Sequence, residues 1–593
     1  MFEFLKRPLK SQPAPATTKG VRADSERVIS GDARASYDSG LASLAQGDAA
    51  AALSSFRNAT ALSPEFARAH HCAALALREL GRTSEAIEAF QRAIDLQFDS
   101  VDSIVGMGEV HAELGNNEDA QDCFQLALAF DCDCSSAHSN LGRLLLRSGE
   151  LDAALEHHTR LLALQPSSAQ AHFEGAQTYA RRAEVQNAVE HYLRAVELQP
   201  DFAEAYVNLG MLHLSTLGNP AAAQALFEQA LKIRPDFLEA RANLALALQE
   251  RGDFSAALHL MDQALERWPQ FEEFRWNRGL VRLTWGDYRG GWDDYAARKR
   301  RAGGIVHRKF PYRDWGGEPL RDSNLLVYAE QGLGDEIMFA SCLPDVVRAA
   351  RSCVIECNTR LERLFRRSFP QAKVHGALRD GDRSWLSAYP GIDLQAAIGD
   401  LPRYLRNSSE DFPAHAGYLQ ADPQRANFWR TQLAAGAKAV KVGIAWRGGT
   451  RETRQAQRSS RLLEWLPVLR RQNVQFISLQ HGEISEEIDA AAAQGVELGH
   501  WPDALQDLDE MAALMTVLDL VITVDSTVAH LAGALGREVW IMLPHSPDWR
   551  WLWQGSKSTW YPTATLYRQA AAGGWQPLLS EAAAQLDQLL RSK

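Results

Sequence analysis

Residues 169–200 read AQAHFEGAQTYARRAEVQNAVEHYLRAVELQP. Small residues stand at Ala176 and Ala188, Tyr192 follows four residues after the second, and Pro200 ends the stretch. The same pattern recurs at a spacing of 34 residues on both sides, with one extra residue near Asn219-Pro220. The other units are marked by Gly40, Ala52, Phe56, Ala59 and Pro64; Ala74, Ala86, Phe90, Ala93 and Phe98; Gly108, Ala120, Phe124, Ala127 and Cys132; Gly142, Ala154 and Pro166; Gly210, Phe227, Ala230 and Pro235; and Ala245, Ala257, Ala264 and Pro269.

This period and these residue types are the tetratricopeptide pattern. The small residues let two helices approach closely, the aromatic residue fills the gap between successive repeats, and proline ends the second helix. We therefore predict an all-α solenoid over residues 33–300, with seven repeats and a partial eighth that begins at Gly279. Residues 1–32 are expected to form a mobile N-terminal arm.

An asparagine stands two residues before the early small position in four of the repeats. These residues are Asn140, Asn208, Asn243 and Asn277. An amide side chain carries one donor group and one acceptor, like the peptide unit. A ladder of such amides on the first helices would bind an extended protein acceptor through its backbone. The alternative is that these asparagines cap or pack between helices.

Composition excludes several classes of protein. The 593 residues are 46% hydrophobic and 23% charged, which is ordinary for a folded chain and excludes a largely disordered one. The net charge of −11 argues against a nucleic-acid partner. We find no run of about 20 apolar residues, so we expect no membrane span, and no secretory signal. Seven cysteines without a CxxC pair suit a reducing compartment, so we predict a cytoplasmic protein.

The sequence changes character after the basic run Arg298-Lys299-Arg300-Arg301, which we interpret as a solvated hinge at the start of a linker over 301–320. Short apolar runs then alternate with helical stretches, which predicts parallel sheets. We expect two doubly wound halves that face each other, 321–437 and 438–593, with a C-terminal helix. The predicted strands are 324–329, 353–357, 441–446, 474–480, 518–524 and 538–543, and a helix is expected over 336–350.

Three junctions between a strand and a loop carry candidate chemistry, because ligands of such sheets bind beyond the carboxyl ends of the strands. The first contains Gly332, Gly334 and Asp335, where glycine permits close approach of a ligand and Asp335 either acts on it or caps the helix. The second contains Arg447, which either binds an anion or lies in a solvated basic loop. The remaining candidates at this junction and the neighbouring strand end are Arg458, Ser459 and Gln480.

The third junction is Val524-Asp525-Ser526-Thr527 followed by His530, Gly533 and a helix of small residues. Free N–H groups and hydroxyls at a helix N-terminus bind phosphate well, and His530 would lie one turn in on the same side. Gly533 would let the helix lie close to the sheet. The alternative is that Ser526 is only a helix cap and His530 only a packed side chain. Tryptophans of Asp548-Trp549-Arg550-Trp551 and Trp560-Tyr561 either stack on a sugar or belong to the core.

Four motifs together resemble the bacterial tetratricopeptide-repeat glycosyltransferases. They are EQGLGDEIMFASCLP (330–344), RSSRLLEWLPVL (458–469), DLVITVDSTVAHLAGALG (519–536) and DWRWLW…WYP (548–562). The resemblance implies a GT-B fold similar to that of lipopolysaccharide heptosyltransferases. The order of domains is similar to that of the protein O-linked GlcNAc transferases, whose catalytic histidine has no match in this chain.

The resemblance also implies roles for individual residues. Asp335 corresponds to the proposed general base, and Asp525, Ser526, Thr527 and His530 correspond to the loop that binds the nucleotide. An inverting transfer without a metal ion or other cofactor is expected, from a nucleotide-sugar donor to Ser or Thr of a protein acceptor held by the repeats. Some members of this length glycosylate flagellin with a nonulosonic acid, and the chain resembles that branch. With such a CMP-linked donor, the loops of Arg447 and Arg458 would contact the sugar carboxylate.

Two other functions stay open at this stage. The chain could be a repeat scaffold with an inactive transferase-like domain, because fold does not prove activity. It could also act on a lipopolysaccharide or lipid-linked acceptor, although seven repeats are many for so small a substrate. Two apparent metal motifs are discounted: Cys132, Cys134 and His138 fall at a repeat turn, and Asp380-x-Asp382 lies in a loop.

Overall fold

The computed structural model describes residues 29–301, 308, 310–378, 381–434, 440–449, 455–570 and 574–592. It divides the chain into two compact units, residues 1–212 and 213–593. The arm predicted over 1–32 lies outside the described residues except for 29–32. In the predicted linker, residues 302–307 and 309 also lie outside them, as does Asp380 of the discounted Asp-x-Asp motif.

The first unit consists of antiparallel helix pairs, one pair for each predicted repeat. Its helices are α1 (Gly31–Ala45), α2 (Ala49–Leu62), α3 (Ala67–Glu79), α4 (Thr83–Leu96), α5 (Val101–Glu113), α6 (Asn117–Phe130), α7 (Ser135–Ser148), α8 (Leu151–Leu164), α9 (Ala169–Arg181), α10 (Val185–Leu198) and α11 (Ala203–Ser215), which runs across the boundary of the unit. The tetratricopeptide prediction is confirmed.

The repeat residues pack as their sizes require. The ring of Phe124 on α6 is 1% exposed and lies against Gly108 on α5, where an added Cβ would stand 2.7 Å from Cε1 of that ring. Phe90 on α4 packs in the same way against Gly106 of the next repeat. His158 takes the aromatic position in the fourth repeat and is fully buried against Gly142. Burial lowers the pKa of His158 to about 4, so its ring packs as a neutral group.

The second unit begins with the remaining repeat helices. These are α12 (Pro220–Ile233), α13 (Leu238–Glu250), α14 (Phe254–Arg267), α15 (Glu272–Trp285) and α16 (Tyr288–Tyr295). Asn219, Asp253 and Asp287 cap α12, α14 and α16 by accepting a backbone N–H. Trp292 on α16 is 1% exposed and packs edge-on against Trp549, 5.5 Å between ring centroids, in the core of the α/β part.

The prediction of a solvated hinge at Arg298–Arg301 is wrong. Arg298 is 1% exposed, and its guanidinium donates to Glu330 and, at 2.7 Å, to Asp400. Lys299 donates to the same Asp400 carboxylate. A buried cation is tolerated only with such partners, so this run joins the repeats to the sheet that follows them.

Two parallel sheets complete the second unit, as the alternating pattern predicts. The first has the order β1-β5-β2-β3-β4 and the second has the order β11-β10-β9-β6-β7-β8. The strands are β1 (Arg313–Asp314), β2 (Asn324–Tyr328), β3 (Ser352–Asn358), β4 (Lys373–Ala377), β5 (Leu394–Ala397), β6 (Val440–Ala445), β7 (Val474–Ser478), β8 (Leu498–Gly499), β9 (Leu520–Val524), β10 (Val539–Leu543) and β11 (Ala564–Arg568).

The helix predicted over 336–350 is interrupted. The structure has two α-helices separated by a 3₁₀ turn over Ala340–Cys342, and Pro344, which has no N–H to donate, stands in the first turn of the second. The helices of this part are α17 (Leu333–Phe339), α18 (Leu343–Ala349), α19 (Glu362–Ser368), α20 (Leu401–Leu405), α21 (Pro423–Ala434), α22 (Gln455–Arg458), α23 (Leu466–Leu469), α24 (Ser485–Ala492), α25 (Pro502–Gln506), α26 (Leu508–Thr516), α27 (Thr527–Ala534) and α28 (Gln576–Ser592).

Ion pairs connect the helices that flank the two sheets. Arg367 on α19 donates to both carboxylate oxygens of Asp509 on α26, at 2.7 and 2.9 Å. Arg363 donates to Asp507 at 2.7 Å. Within the described part of the chain, no helix combines the length and apolar character that a membrane span requires.

The repeat packing yields a stability prediction. We expect Phe124→Ala to destabilise the α5–α6 repeat by about 3–5 kcal/mol, because a buried aromatic ring is replaced by a cavity. Hydrogen exchange of peptides from α5 and α6 should speed up accordingly. The matched control is Phe98→Ala, whose ring is 70% exposed and whose loss should leave exchange nearly unchanged. Equal exchange in the two variants would contradict this account of the repeat core.

Candidate active site

All three predicted junctions meet in the structure. The second contacts the third, because a Cβ added at Gly448 would stand 2.2 Å from the carbonyl oxygen of Asp525. The first junction opens α17 and the third opens α27. A Cβ added at Gly334 would stand 3.0 Å from Cδ2 of His530 and 3.6 Å from Oγ1 of Thr527. A Cβ at this position would be in tight contact with His530, so glycine lets the start of one helix lie close against the start of the other.

Asp335 does not cap its helix, which begins after Gly332. Its carboxylate instead accepts hydrogen bonds from both Nε, at 2.9 Å, and Nη2 of Arg550. Arg550 also donates to Asp548 at 2.5 Å and lies over the ring of Trp549, 4.4 Å from the centroid. Burial opposes the charge of Arg550, but the two carboxylates raise its pKa well above the ordinary value.

Asp525 forms a second buried ion pair. Its side chain is 1% exposed, and Nε of Arg458 lies 3.0 Å from its Oδ2. Arg458 also donates to the backbone carbonyl of Asp525 at 3.0 Å. Burial raises the pKa of Asp525 even though Arg458 counteracts it. For Asp548, burial is outweighed by Arg550 and Arg458, which hold its pKa below the usual value.

The N-terminus of α27 is available to an anion. Ser526 is the N-cap residue, but its Oγ lies 3.1 Å from Oγ1 of Thr523. Within the described residues, no side chain caps this helix. The first N–H groups of the helix therefore lack a side-chain cap and carry the positive end of its dipole, an arrangement that suits phosphate.

His530 is a buried neutral residue. Its Nδ1 lies 2.9 Å from the hydroxyl of Tyr561, and its ring stacks on Trp551 with 5.0 Å between centroids. Burial, with Arg550 and Arg458 nearby, lowers the pKa of His530 to about 3. Gly533 makes room for the ring of Tyr561, 2.4 Å from where its Cβ would stand, rather than for the sheet. The indoles of Trp549, Trp551 and Trp560 are buried in this core.

The second junction is held by hydrogen bonds within the protein. Oε1 of Gln480 accepts from the backbone N–H groups of Trp446, at 3.0 Å, and Arg447, at 2.8 Å. Ser459 Oγ bonds both the N–H and the carbonyl of Gly448. The Arg447 guanidinium lies 3.2 Å from Oε2 of Glu487. Gln480 and Ser459 therefore shape the loop, and Arg447 already has an acidic partner.

The asparagines predicted to bind an acceptor all lie half-buried on the first helices of their repeats. Asn140 on α7 donates to Glu109 at 3.0 Å, and Asn208 on α11 bonds the hydroxyl of Tyr192. Asn243 and Asn277 lie on α13 and α15. Their role in acceptor binding stays a prediction.

Arg550 and Asp548 were not singled out as charged site residues. An arginine and an aspartate beside tryptophans, as in DWRWLW, are the sequence signal of such a buried ion pair. The discounted Asp382 is exposed and accepts hydrogen bonds from Ser384.

The chain is similar to proteins of known families in both of its parts. It matches the tetratricopeptide repeat over residues 37–99, 105–169, 140–202, 173–236 and 214–275. It matches glycosyltransferase family 9 (heptosyltransferase) over residues 479–543, which include β9, the start of α27 and β10. The second match therefore contains Asp525, Ser526, Thr527 and His530.

Comparisons with whole proteins found further similar chains. Protein FlbA of Caulobacter vibrioides is 35% identical over 325 residues, 52% of this chain and 53% of that protein, so the chain spans about half the length of this relative. Among solved structures, YrrB, titled a TPR protein with an unusual peptide-binding site, is 22% identical (TM-score 0.27; 31% of this chain, 95% of YrrB). PilF of Pseudomonas aeruginosa is 20% identical (TM-score 0.32; 35% and 95%). The chain thus contains tetratricopeptide repeats and, over residues 479–543, a segment that matches glycosyltransferase family 9 (heptosyltransferase).

Proposed function

We propose that this chain is a protein O-glycosyltransferase of the GT-B type. It would transfer a sugar from a nucleotide-sugar donor to Ser or Thr of a protein acceptor, with inversion at the anomeric carbon. The observation that carries this proposal is the contact at Gly334, where the loop of Asp335 lies against the N-terminus of α27. A carboxylate that can accept a proton thus stands beside a site for an anionic leaving group.

The donor phosphate would bind at the start of α27. The N–H groups of this helix, with the hydroxyls of Ser526 and Thr527, would donate hydrogen bonds to it. Arg458 and Arg550 supply positive charge close by, and both are fixed by buried carboxylates. Donors that are already oriented stabilise the charge that develops on the leaving phosphate without reorganising during the reaction.

The chemical step would be a single displacement. The oxygen of the acceptor hydroxyl attacks the anomeric carbon, and its proton passes to a carboxylate oxygen of Asp335. The bond between the anomeric carbon and the phosphate oxygen breaks, and the electron pair leaves with the nucleotide. General base catalysis of this kind contributes about 10²–10⁴-fold. Atoms and charges balance without a metal ion.

The acceptor would lie along the first helices of the repeats. There, amides such as that of Asn243 would bond its backbone in the way expected from their donor and acceptor groups. We propose flagellin as the acceptor and a CMP-linked nonulosonic acid as the donor, on the strength of the resemblance to that branch and its order of domains. The reaction would take place in the cytoplasm.

A second candidate is a repeat scaffold with an inactive transferase domain. It is favoured by the ion pairs that occupy two residues of the site: Asp335 is bonded to Arg550 and Arg447 is paired with Glu487. Turnover separates the two candidates, because only an active enzyme depends on the carboxylate of Asp335.

We expect Asp335→Asn to lower kcat by about 10²–10⁴-fold, because the amide keeps the shape of the side chain but accepts no proton. Intact-protein mass spectrometry of secreted flagellin would measure the effect in a strain that carries the variant, and the lost mass would identify the sugar. The matched control is Asp382→Asn, an exposed aspartate away from the site. An unchanged flagellin mass in the Asp335→Asn strain would exclude either Asp335 as the general base or flagellin as the acceptor.

The acceptor prediction is tested by Asn243→Ala. Loss of one backbone hydrogen bond should raise KM for the protein acceptor roughly three- to tenfold, with kcat and donor affinity unchanged. Asn187→Ala is the control, because Asn187 is exposed on α10, a second helix of its repeat. If the two variants have the same KM as the wild type, the asparagines only pack between helices.

A further inference from the structure

A cavity of about 310 Å³ lies in the second unit, lined by residues next in sequence to members of the proposed donor site. It opens at the carboxyl ends of two strands, where Pro544, His545 and Ser546 follow β10 and Gln569 follows β11. Its opposite wall is the turn between α11 and α12 together with Glu250. Ligands of parallel sheets bind at this edge.

The repeat turn in this wall departs from the others. Helix α9 is joined to α10 by three residues, 182–184, whereas α11 is joined to α12 by four, 216–219. The extra residue is the insertion that interrupts the 34-residue period near Asn219-Pro220. Gly218 in this turn has a φ of 59°, as the glycines of other repeat turns such as Gly115 and Gly252 also have positive φ, so the extra residue is what sets this turn apart. The repeat is thus altered at the place where it forms the cavity.

Ser546 supplies the second observation. Its side chain is 8% exposed, and among the described residues its Oγ has no hydrogen-bond partner. A buried hydroxyl without a partner is unfavourable unless a ligand satisfies it. Ser546 lines the cavity, so a ligand placed there would provide the missing bond.

The remaining lining groups define the chemistry of the ligand. Thr216, Gln457 and Gln569 offer hydroxyl and amide groups, and Trp575 offers an apolar wall. Glu250 and His545 are the two ionisable residues among the described lining residues. Such a surface suits a ring with hydroxyl and N-acyl substituents better than it suits a phosphate.

One hydrogen bond and two short stretches of chain connect residues that line the cavity with residues of the proposed donor site. Nε1 of Trp575 donates to the carbonyl of Ser459 at 3.1 Å, and the next residue before Ser459 is Arg458, which is paired with Asp525. Ser546 precedes Asp548 by two residues, and Asp548 holds Arg550. A molecule whose phosphate binds at α27 would therefore have its attached groups beside this cavity.

We propose that the cavity holds the sugar ring of the nucleotide-sugar donor, so that a turn of the repeat array helps to select the sugar. This inference rests on the proposed function. The volume accommodates one substituted ring, at the low end of the roughly 300–1,000 Å³ of ligand sites. The repeats would then contribute to both substrates rather than to the acceptor alone.

The test compares each nucleotide sugar with its free nucleotide. Calorimetry on the full chain would use CMP-N-acetylneuraminic acid with CMP, and UDP-N-acetylglucosamine with UDP, and the pair that binds more tightly is carried forward. We expect Ser546→Ala to weaken the sugar nucleotide about three- to tenfold and the free nucleotide less than twofold. The free protein should be as stable as the wild type, because the variant removes a buried group that lacked a partner.

Thr216→Trp is a second variant that does not depend on a buried position, since Thr216 is exposed in the turn. Its indole should fill the cavity and weaken the sugar nucleotide more than tenfold while the free nucleotide binds as before. Ser580→Ala, on the exposed side of α28, is the control. If the variants lose affinity for the sugar nucleotide and for the free nucleotide equally, the base lies in the cavity and the proposal is overturned. If neither variant loses affinity for the sugar nucleotide, the proposal is overturned as well.

Arg458→Ala distinguishes failure of the inference from failure of the proposed function. If this variant lowers the affinity for the free nucleotide while Ser546→Ala and Thr216→Trp change no affinity, only the proposal that the cavity holds the sugar is wrong. If the wild type binds none of the four probes, or if Arg458→Ala binds them as tightly as the wild type, the donor site itself is wrong.

Discussion

The ion pair between Arg550 and Asp335 is the interaction on which the site depends. Asp335 belongs to the loop after the second strand of one sheet, and Arg550 follows the fifth strand of the other. Asp548 accepts a hydrogen bond from the same guanidinium, which also lies over the ring of Trp549. Because the charges are largely buried, removing one partner would leave the others uncompensated. The two sheets are thus fixed relative to each other where the chemistry is proposed.

The last repeat is part of this same core. Trp292 on α16 packs against Trp549 and Trp560 and donates from its indole N–H to the carbonyl of Arg406 at 2.8 Å. Arg298, one turn after the end of α16, is bonded to Glu330 at the start of the loop that leads to Asp335. The end of the repeat array therefore supports the loop that carries the proposed base, and a hinge at this point would be incompatible with those contacts.

The fold could be predicted further from the sequence than the site could. A fixed 34-residue period is a local signal. The contact between Phe124 and Gly108 can therefore be predicted from the repeat alone, without the rest of the chain. The rule about strand ends selected Gly334 and Thr527 as candidates, but it did not predict their contact, because they follow strands of different sheets. The partners of Arg298 and Arg550 did not follow, because each lies far along the chain from its carboxylates and only the assembled fold brings them together. For His530 the sequence left open a ligand contact or a packed side chain, and only the fold shows the burial that lowers its pKa.

The charge of the site constrains how a donor can bind. Three carboxylates, those of Asp335, Asp525 and Asp548, share the guanidiniums of Arg458 and Arg550. A phosphate adds negative charge to this cluster, so the N-terminus of α27 must contribute to its binding. Burial already raises the pKa of Asp525, and an incoming anion raises it further, which favours uptake of a proton there. In the proposed reaction, Asp335, with 19% of its side chain exposed, would then be the carboxylate left to accept the proton of the acceptor hydroxyl.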